Sequence, residues 1–144
     1  MPGQGMLITP DDRTLSISES FACRLTAFHI DAVGGLSNRR VFAEDLGPDG
    51  ICMDAEGAVS VQTGGFSIVR VAEGGRILQR VELPEHGAPF ALMLGGPDRQ
   101  TLFILTAEWR KADGHVANLE RLNTGPRTGQ ILALPVSVPG VGRP

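Results

Sequence analysis

Pro10-Asp-Asp-Arg-Thr-Leu15 returns as Asp54-Ala-Glu-Gly-Ala-Val59 and again as Pro97-Asp-Arg-Gln-Thr-Leu102. Each copy is a polar turn that opens a short apolar strand. The step from Leu15 to Val59 is 44 residues, and from Val59 to Leu102 it is 43. A period of that length, filled with short strands, is the signature of a propeller blade. Three copies are too few to close a ring, since propellers have about 4–8 blades. The pattern therefore predicts an all-β chain of three consecutive four-stranded blades, near 4–44, 45–87 and 88–137, with a loose tail over 138–144.

Outward from the repeats, strands are expected at 6–9, 14–18, 24–30 and 39–43 in the first unit. In the second they are expected at 50–53, 58–62, 66–71 and 77–83. Leu15 and Ile17 alternate with Ser16 and Ser18, and Val59 and Val61 with Ser60 and Gln62; a period of two is the strand signal. Asp31-Ala-Val-Gly-Gly35 and Glu73-Gly74-Gly75 supply hairpin turns. The third unit has strands at 90–94, 101–106 and 130–136. Between them runs a polar stretch, 107–128, holding Glu108, Trp109-Arg110-Lys111, His115 and Asn118. It reads as a lid or mobile loop, with a strand or short helix over 116–122 as the alternative.

Composition excludes several classes. Hydrophobic residues are 42% and charged residues 20%, ordinary for a globular chain. The net charge of −3 and the lack of a basic patch argue against nucleic acid as a partner. No apolar run nears the ~20 residues of a membrane span, and the N-terminus shows no secretory pattern. A cytoplasmic protein without membrane or nucleic-acid partners is expected. Cys23 and Cys52 have no CxxC spacing and read as buried small hydrophobes rather than a disulfide.

Superposing the repeats aligns Gln4, Asp49 and Phe90, each at the mouth of the first strand of its unit. In a propeller such positions converge on the central channel. Gln4 and Asp49 offer oxygen, which hard divalent cations prefer; Phe90 offers a wall. Gly47-Pro48-Asp49-Gly50 is equally good β-turn chemistry, with Pro fixing φ and Gly permitting positive φ. The remaining candidates lack a pattern. His29, His86 and His115 share no metal-ligand spacing. Ser20 has no nucleophile elbow. The glycine pairs open no helix, and Asp11-Asp12 lacks the calcium-loop pattern. Trp109 with Arg110 and Lys111 reads as an exposed loop or as cover for a site.

Four segments carry a family resemblance: 14–28, 34–42, Pro48-Asp-Gly-Ile-Cys-Met-Asp-Ala-Glu-Gly57 and Leu94-Gly-Gly-Pro-Asp-Arg-Gln-Thr-Leu-Phe103. They resemble the C-terminal half of the gluconolactonase/regucalcin-like family, which includes luciferin-regenerating enzymes. The resemblance implies six-bladed propellers that hold one divalent cation (calcium, zinc, magnesium or manganese) and hydrolyse lactones. It makes Asp49 a metal ligand and catalytic carboxylate, and places Gln4 where the family has a metal-binding asparagine. The extra methylene of Gln4 shifts its amide by about 1.5 Å, against a coordination tolerance of roughly 0.2 Å. The family's metal-binding glutamate has no counterpart here, and Ser60 stands where a tryptophan is usual. The resemblance thus implies a truncated lactonase, weakly active or inactive alone, with a weakly held cation. Its partners would be a small lactone and either a second copy or a complementary N-terminal half. A non-catalytic β-rich ligand-binding or interaction module is the alternative.

Overall fold

The computed structural model describes residues 5–85 and 87–141. Gln4 and His86, both considered above, lie outside the described residues. Three antiparallel sheets follow one another along the chain. The first orders β1 (Met6–Ile8), β2 (Thr14–Glu19), β3 (Arg24–Ile30) and β4 (Leu36–Glu44) side by side. The second contains β5 (Cys52–Asp54), β6 (Val59–Gln62), β7 (Ser67–Val71) and β8 (Ile77–Glu82). The third is built from β9 (Gly87–Gly95), β10 (Thr101–Glu108) and β11 (Gln130–Pro135). The α-helix α1 (Gly114–Thr124), preceded by a short 3-10 turn, lies between β10 and β11, and β12 (Gly140–Val141) ends the described chain.

The repeated turns have one physical cause. In each, an aspartate oxygen accepts the backbone N–H two residues on. Asp11 takes that of Arg13 (3.1 Å), Asp54 that of Glu56 (2.8 Å) and Asp98 that of Gln100 (3.0 Å). An Asx turn of this kind reverses the chain without help from distant contacts. Asp31 uses the same device between β3 and β4, accepting from Val33 and Gly35 at 2.9 and 2.8 Å.

Two cores join the sheets. Leu7, Leu25, Ala27 and Phe42 of the first sheet pack on Met53, Val59, Val61 and Val71 of the second. Cys52 and Ile68, on the other face of the second sheet, pack on Leu92, Leu94, Leu102 and Ile104 of the third. The second sheet is therefore covered on both faces. Alternation consequently misleads about exposure: Ser60 and Gln62 are buried along with Val59 and Val61, and Ser16 and Ser18 are more buried than Leu15 and Ile17.

The first two units each supply the expected four strands, β1–β4 and β5–β8, but the sheets differ beyond that. The second has five strands because β12 adds to β5, pairing Gly140 with Asp54 and Val141 with Met53. The third has three. Residues 139–141 are thus tied down rather than loose: the Ala55 N–H donates to the Pro139 carbonyl at 2.8 Å, and the Gly140 N–H to that of Arg99 at 2.9 Å. The polar stretch 107–128 is not a bare loop: it contains α1, which covers the short helix over 116–122 that stood as the alternative. Cys52 is buried, and burial pushes its thiol up to about 12. Cys23 is exposed, at left-handed φ just past a 3-10 turn, so burial describes only one of the two free cysteines.

Candidate functional site

The loops at one end of the three sheets meet around a cavity of about 370 Å³. Asp49, Phe90, Trp109, Lys111, His115 and Leu119 are among its lining residues. The cavity joins the expected Asp49, from the loop before β5, and Phe90, from β9, to residues of the polar stretch. Its wall is mainly apolar, with Phe21 and Phe66 adding aromatic surface.

Asp49 is fixed through its backbone. The Gln62 side chain is 2% exposed and clamps the Asp49–Gly50 segment. Its Oε1 accepts the Asp49 N–H and its Nε2 donates to the Gly50 carbonyl, both at 3.0 Å. The Asp49 carbonyl accepts the Gly5 N–H at 3.0 Å and the Ser18 hydroxyl at 2.6 Å. The Ser20 hydroxyl donates to the Pro48 carbonyl at 2.6 Å. Gln62 is a site residue that sequence reasoning passed over; the polar end of an otherwise apolar alternation was its only trace. Burial raises the Asp49 carboxyl above the ordinary aspartate range.

Gly50 is not at positive φ, so the turn-chemistry expectation for it fails. Its role is close approach. A Cβ there would stand 2.8 Å from the Ala91 Cα and 3.2 Å from the Phe90 carbonyl oxygen. The Gly50 N–H donates to that carbonyl at 3.0 Å, the same contact that Gly5 makes to Asp49.

The far wall is an aromatic chain. Phe90 meets Trp109 edge-on with centroids 5.8 Å apart, and Trp109 meets His115 edge-on at 5.2 Å. Asn118, fully buried on α1, folds this wall into place. Its Oδ1 accepts the Arg110 N–H and an Arg121 guanidinium N–H, each at 2.8 Å. Its Nδ2 donates to the carbonyls of Arg110 and Gly114, each at 2.7 Å. Arg121 also pairs with Asp113. Asn118→Ala is expected to cost about 1–3 kcal/mol through unpaired buried groups. Trp109 is the single tryptophan, so the same variant should shift emission to longer wavelength as the wall loosens. Unchanged emission would contradict the role given to Asn118.

Ser60 is not at this site. It lies between the second and third sheets, on a small cavity of about 30 Å³ shared with Asp54, Arg70 and Leu94. His29 is exposed on the first sheet, away from the cavity.

The donors around Asp49 do not make a cation site by themselves. Among the described residues no three His, Cys, Asp or Glu side chains gather as a metal would require. The nearby Gln62 amide has both ends engaged by backbone, and the cavity wall carries the Lys111 ammonium. A divalent cation takes several oxygen ligands, which this set does not offer. What the arrangement does provide is one desolvated carboxylate in an apolar, aromatic-walled pocket.

Comparison with known proteins identifies the family of the chain. Residues 3–108 match the SMP-30/gluconolactonase/LRE-like region. The chain is 29% identical over 150 residues to 6-deoxy-6-sulfogluconolactonase of Pseudomonas putida, covering 100% of this chain and 49% of that protein. It is 36% identical over 104 residues to regucalcin of Danio rerio, covering 67% of this chain and 35% of the other. The fold matches a luciferin-regenerating enzyme with a TM-score of 0.76 at 19% identity, over 97% of this chain and 47% of that one. It also matches a calcium-binding regucalcin from Agrobacterium tumefaciens, with a TM-score of 0.73 at 24% identity over 99% and 48%. The chain spans half or less of the length of these relatives. No helix among the described residues is long and apolar enough to cross a membrane. The match over residues 3–108 and the shared propeller-like fold place the chain in the SMP-30/gluconolactonase/LRE-like family.

Proposed function

We propose that these 144 residues form three blades of a six-bladed lactonase ring and carry one wall of its active site. The observation that supports this most is the placement of Asp49 in the cavity with its carboxyl raised by desolvation. A carboxylate of raised basicity accepts a proton from water more readily. The water, losing that proton to Asp49, adds to the lactone carbonyl; the ring C–O bond breaks and the alkoxide takes the proton back from Asp49, giving the hydroxy acid and restoring the carboxylate. The apolar wall from Phe90 to His115 excludes bulk water. Gln62 holds the Asp49 backbone still, which orients the carboxylate.

Alone, these residues are expected to hydrolyse lactones weakly or not at all. Calcium, zinc, magnesium or manganese would need oxygen ligands beyond those described, from Gln4 or from another ring segment. The assay is hydrolysis of a sugar lactone by the purified chain, with and without each cation. Any turnover above the uncatalysed rate should vanish in Asp49→Asn. Turnover that survives this change overturns the role of Asp49.

Stability provides a check independent of turnover. The folded-state pKa of Asp49 is raised, so the protonated form favours folding. That contribution is complete below the unfolded pKa, near ~3.9, and is lost as pH rises through the folded value. Asn mimics the protonated form. Asp49→Asn should therefore raise the urea midpoint at pH 7 and leave it unchanged in the acid range. No gain at pH 7 would contradict the desolvation of the carboxylate.

A second reading, a non-catalytic binding module, draws on the Phe90–Trp109–His115 wall, which suits an apolar ring. Saturable quenching of Trp109 by a lactone that is never hydrolysed, undiminished in Asp49→Asn, would favour it.

A further inference from the structure

We infer that the two end faces of the three-sheet stack are complementary, and that a second copy of this chain docks on them head to tail. At one end the first sheet presents Met6, Ile8, Leu15, Ile17 and Phe28 on one face, as its register shows. Met6 is 58% and Ile8 39% exposed. At the other end the third sheet presents Ala91, Met93, Phe103, Leu105 and Ile131 on its outer face. Met93, Leu105 and Ile131 are 39%, 44% and 71% exposed. Runs of apolar side chains on an open sheet face mark an interaction surface.

The internal repeat identifies what covers them. With Asp49 aligned to Phe90, Met6 corresponds to Ile51 and Leu92, and Ile8 to Met53 and Leu94. Ile51 and Met53 are buried against the first sheet, and Leu92 and Leu94 against the second. Met6 and Ile8 thus occupy the face that in the later sheets packs on the preceding sheet. Conversely Leu7, Cys52 and Met93 correspond. Leu7 packs toward the second sheet and Cys52 toward the third. Met93 occupies the face that elsewhere packs on the following sheet. The exposed face of the third sheet is therefore built to receive a first sheet, and the chain carries both members of that contact.

Backbone follows the same series. Gly5 donates to the Asp49 carbonyl and Gly50 to that of Phe90, so each sheet is linked to the next at one equivalent position near the cavity. The matched structural relatives are about twice as long, this chain covering 47% and 48% of them. Two copies related by a two-fold axis supply six sheets, and both end contacts form at once. The pairing brings a second Asp49 toward the shared mouth. It goes beyond the lactone reading and is measured by mass, so either can fail while the other stands.

The test is native mass spectrometry and sedimentation of the 144-residue chain, alone and with Leu105→Glu or Met6→Glu. The wild-type chain should run at twice its 15.3 kDa mass. Each variant buries a charge in both contacts of a two-fold ring and should weaken pairing more than about tenfold. Mixing the two variants leaves one contact free of either charge, so a dimer should partly return. Far-UV circular dichroism establishes that each variant keeps its sheets; Ile131→Glu replaces Leu105→Glu if that variant does not. A monomer at every concentration reached overturns the proposal. So does a dimer broken by Leu105→Glu but untouched by Met6→Glu, because two third sheets would then be meeting each other.

Discussion

Asp54→Ala is expected to destabilise the chain by about 3–5 kcal/mol, the range for leaving one member of a buried ion pair without its partner. Whole domains are stable by about 5–15 kcal/mol, so this single change removes a large share. The Asp54 carboxylate is 3% exposed. One oxygen accepts the N–H groups of Glu56 and Ala58 at 2.8 and 3.3 Å, and the other the Arg70 Nε–H at 2.6 Å. A second arm of Arg70 reaches Glu56 at 2.6 Å. Asp11 and Asp98 make the same turn bond but are exposed. Their alanine variants should lose only about 0.5–1.5 kcal/mol. Asp54→Asn should fall between, keeping turn acceptors without the charge. Urea unfolding of the four variants orders them, and Asp54→Ala combined with Arg70→Ala should lose less than the sum of the two single changes. Equal losses at Asp11, Asp54 and Asp98 would show that the buried pair adds nothing to the turn.

That contrast also marks what the sequence makes legible. The three turns could be read directly because an Asx turn is local: aspartate, a short polar step and an apolar strand suffice. Of the strands after them, β2 and β10 begin where the pattern puts them and β6 one residue later. Burial was harder. Ser16, Ser18, Ser60 and Gln62 look like outward members of alternating strands, yet Ser16 and Ser18 share the face of the first sheet that packs on the second, and the second sheet has no outward side. Ser18 and Gln62 are buried because their side chains bond to the backbone around Asp49, a partner 31 and 13 residues away in sequence. The helix α1 was legible only as the alternative over 116–122, because the polar stretch carries no clear apolar stripe and the amide that anchors it, Asn118, bonds back to Arg110. Gln62 and Asn118 are both polar residues that satisfy remote backbone groups, and no periodicity reveals such a partner. Asp49 and Phe90 could be aligned from the repeat; the Trp109–His115 wall that joins them depends on where the helix folds.

Gly50→Ala is expected to cost about 1–3 kcal/mol, the range for overpacking a close-packed contact, although alanine is ordinarily the easier residue to order. The sign rests on geometry. The new methyl would sit 2.8 Å from the Ala91 Cα, 3.0 Å from its Cβ and 3.2 Å from the Phe90 carbonyl oxygen. Two of those atoms are backbone, so no side-chain rotation relieves the clash; the second and third sheets must move apart. Separation lengthens the 3.0 Å bond from the Gly50 N–H to the Phe90 carbonyl and pulls at the 3.0 Å bond from Gln62 to the Gly50 carbonyl. Both hold the floor of the cavity under Asp49. Gly57 provides the steric control: a Cβ there meets nothing within 4 Å, though its φ of +76° makes any side chain strained. Gly57→Ala should therefore cost backbone strain alone and leave Trp109 emission unchanged. Gly50→Ala should lower the urea midpoint and shift that emission together, because Phe90 carries the displacement to the tryptophan it touches. A Gly50→Ala chain of wild-type stability would mean that the second and third sheets are not in contact at this glycine, and the placement of Asp49 beside Phe90 would fall with it.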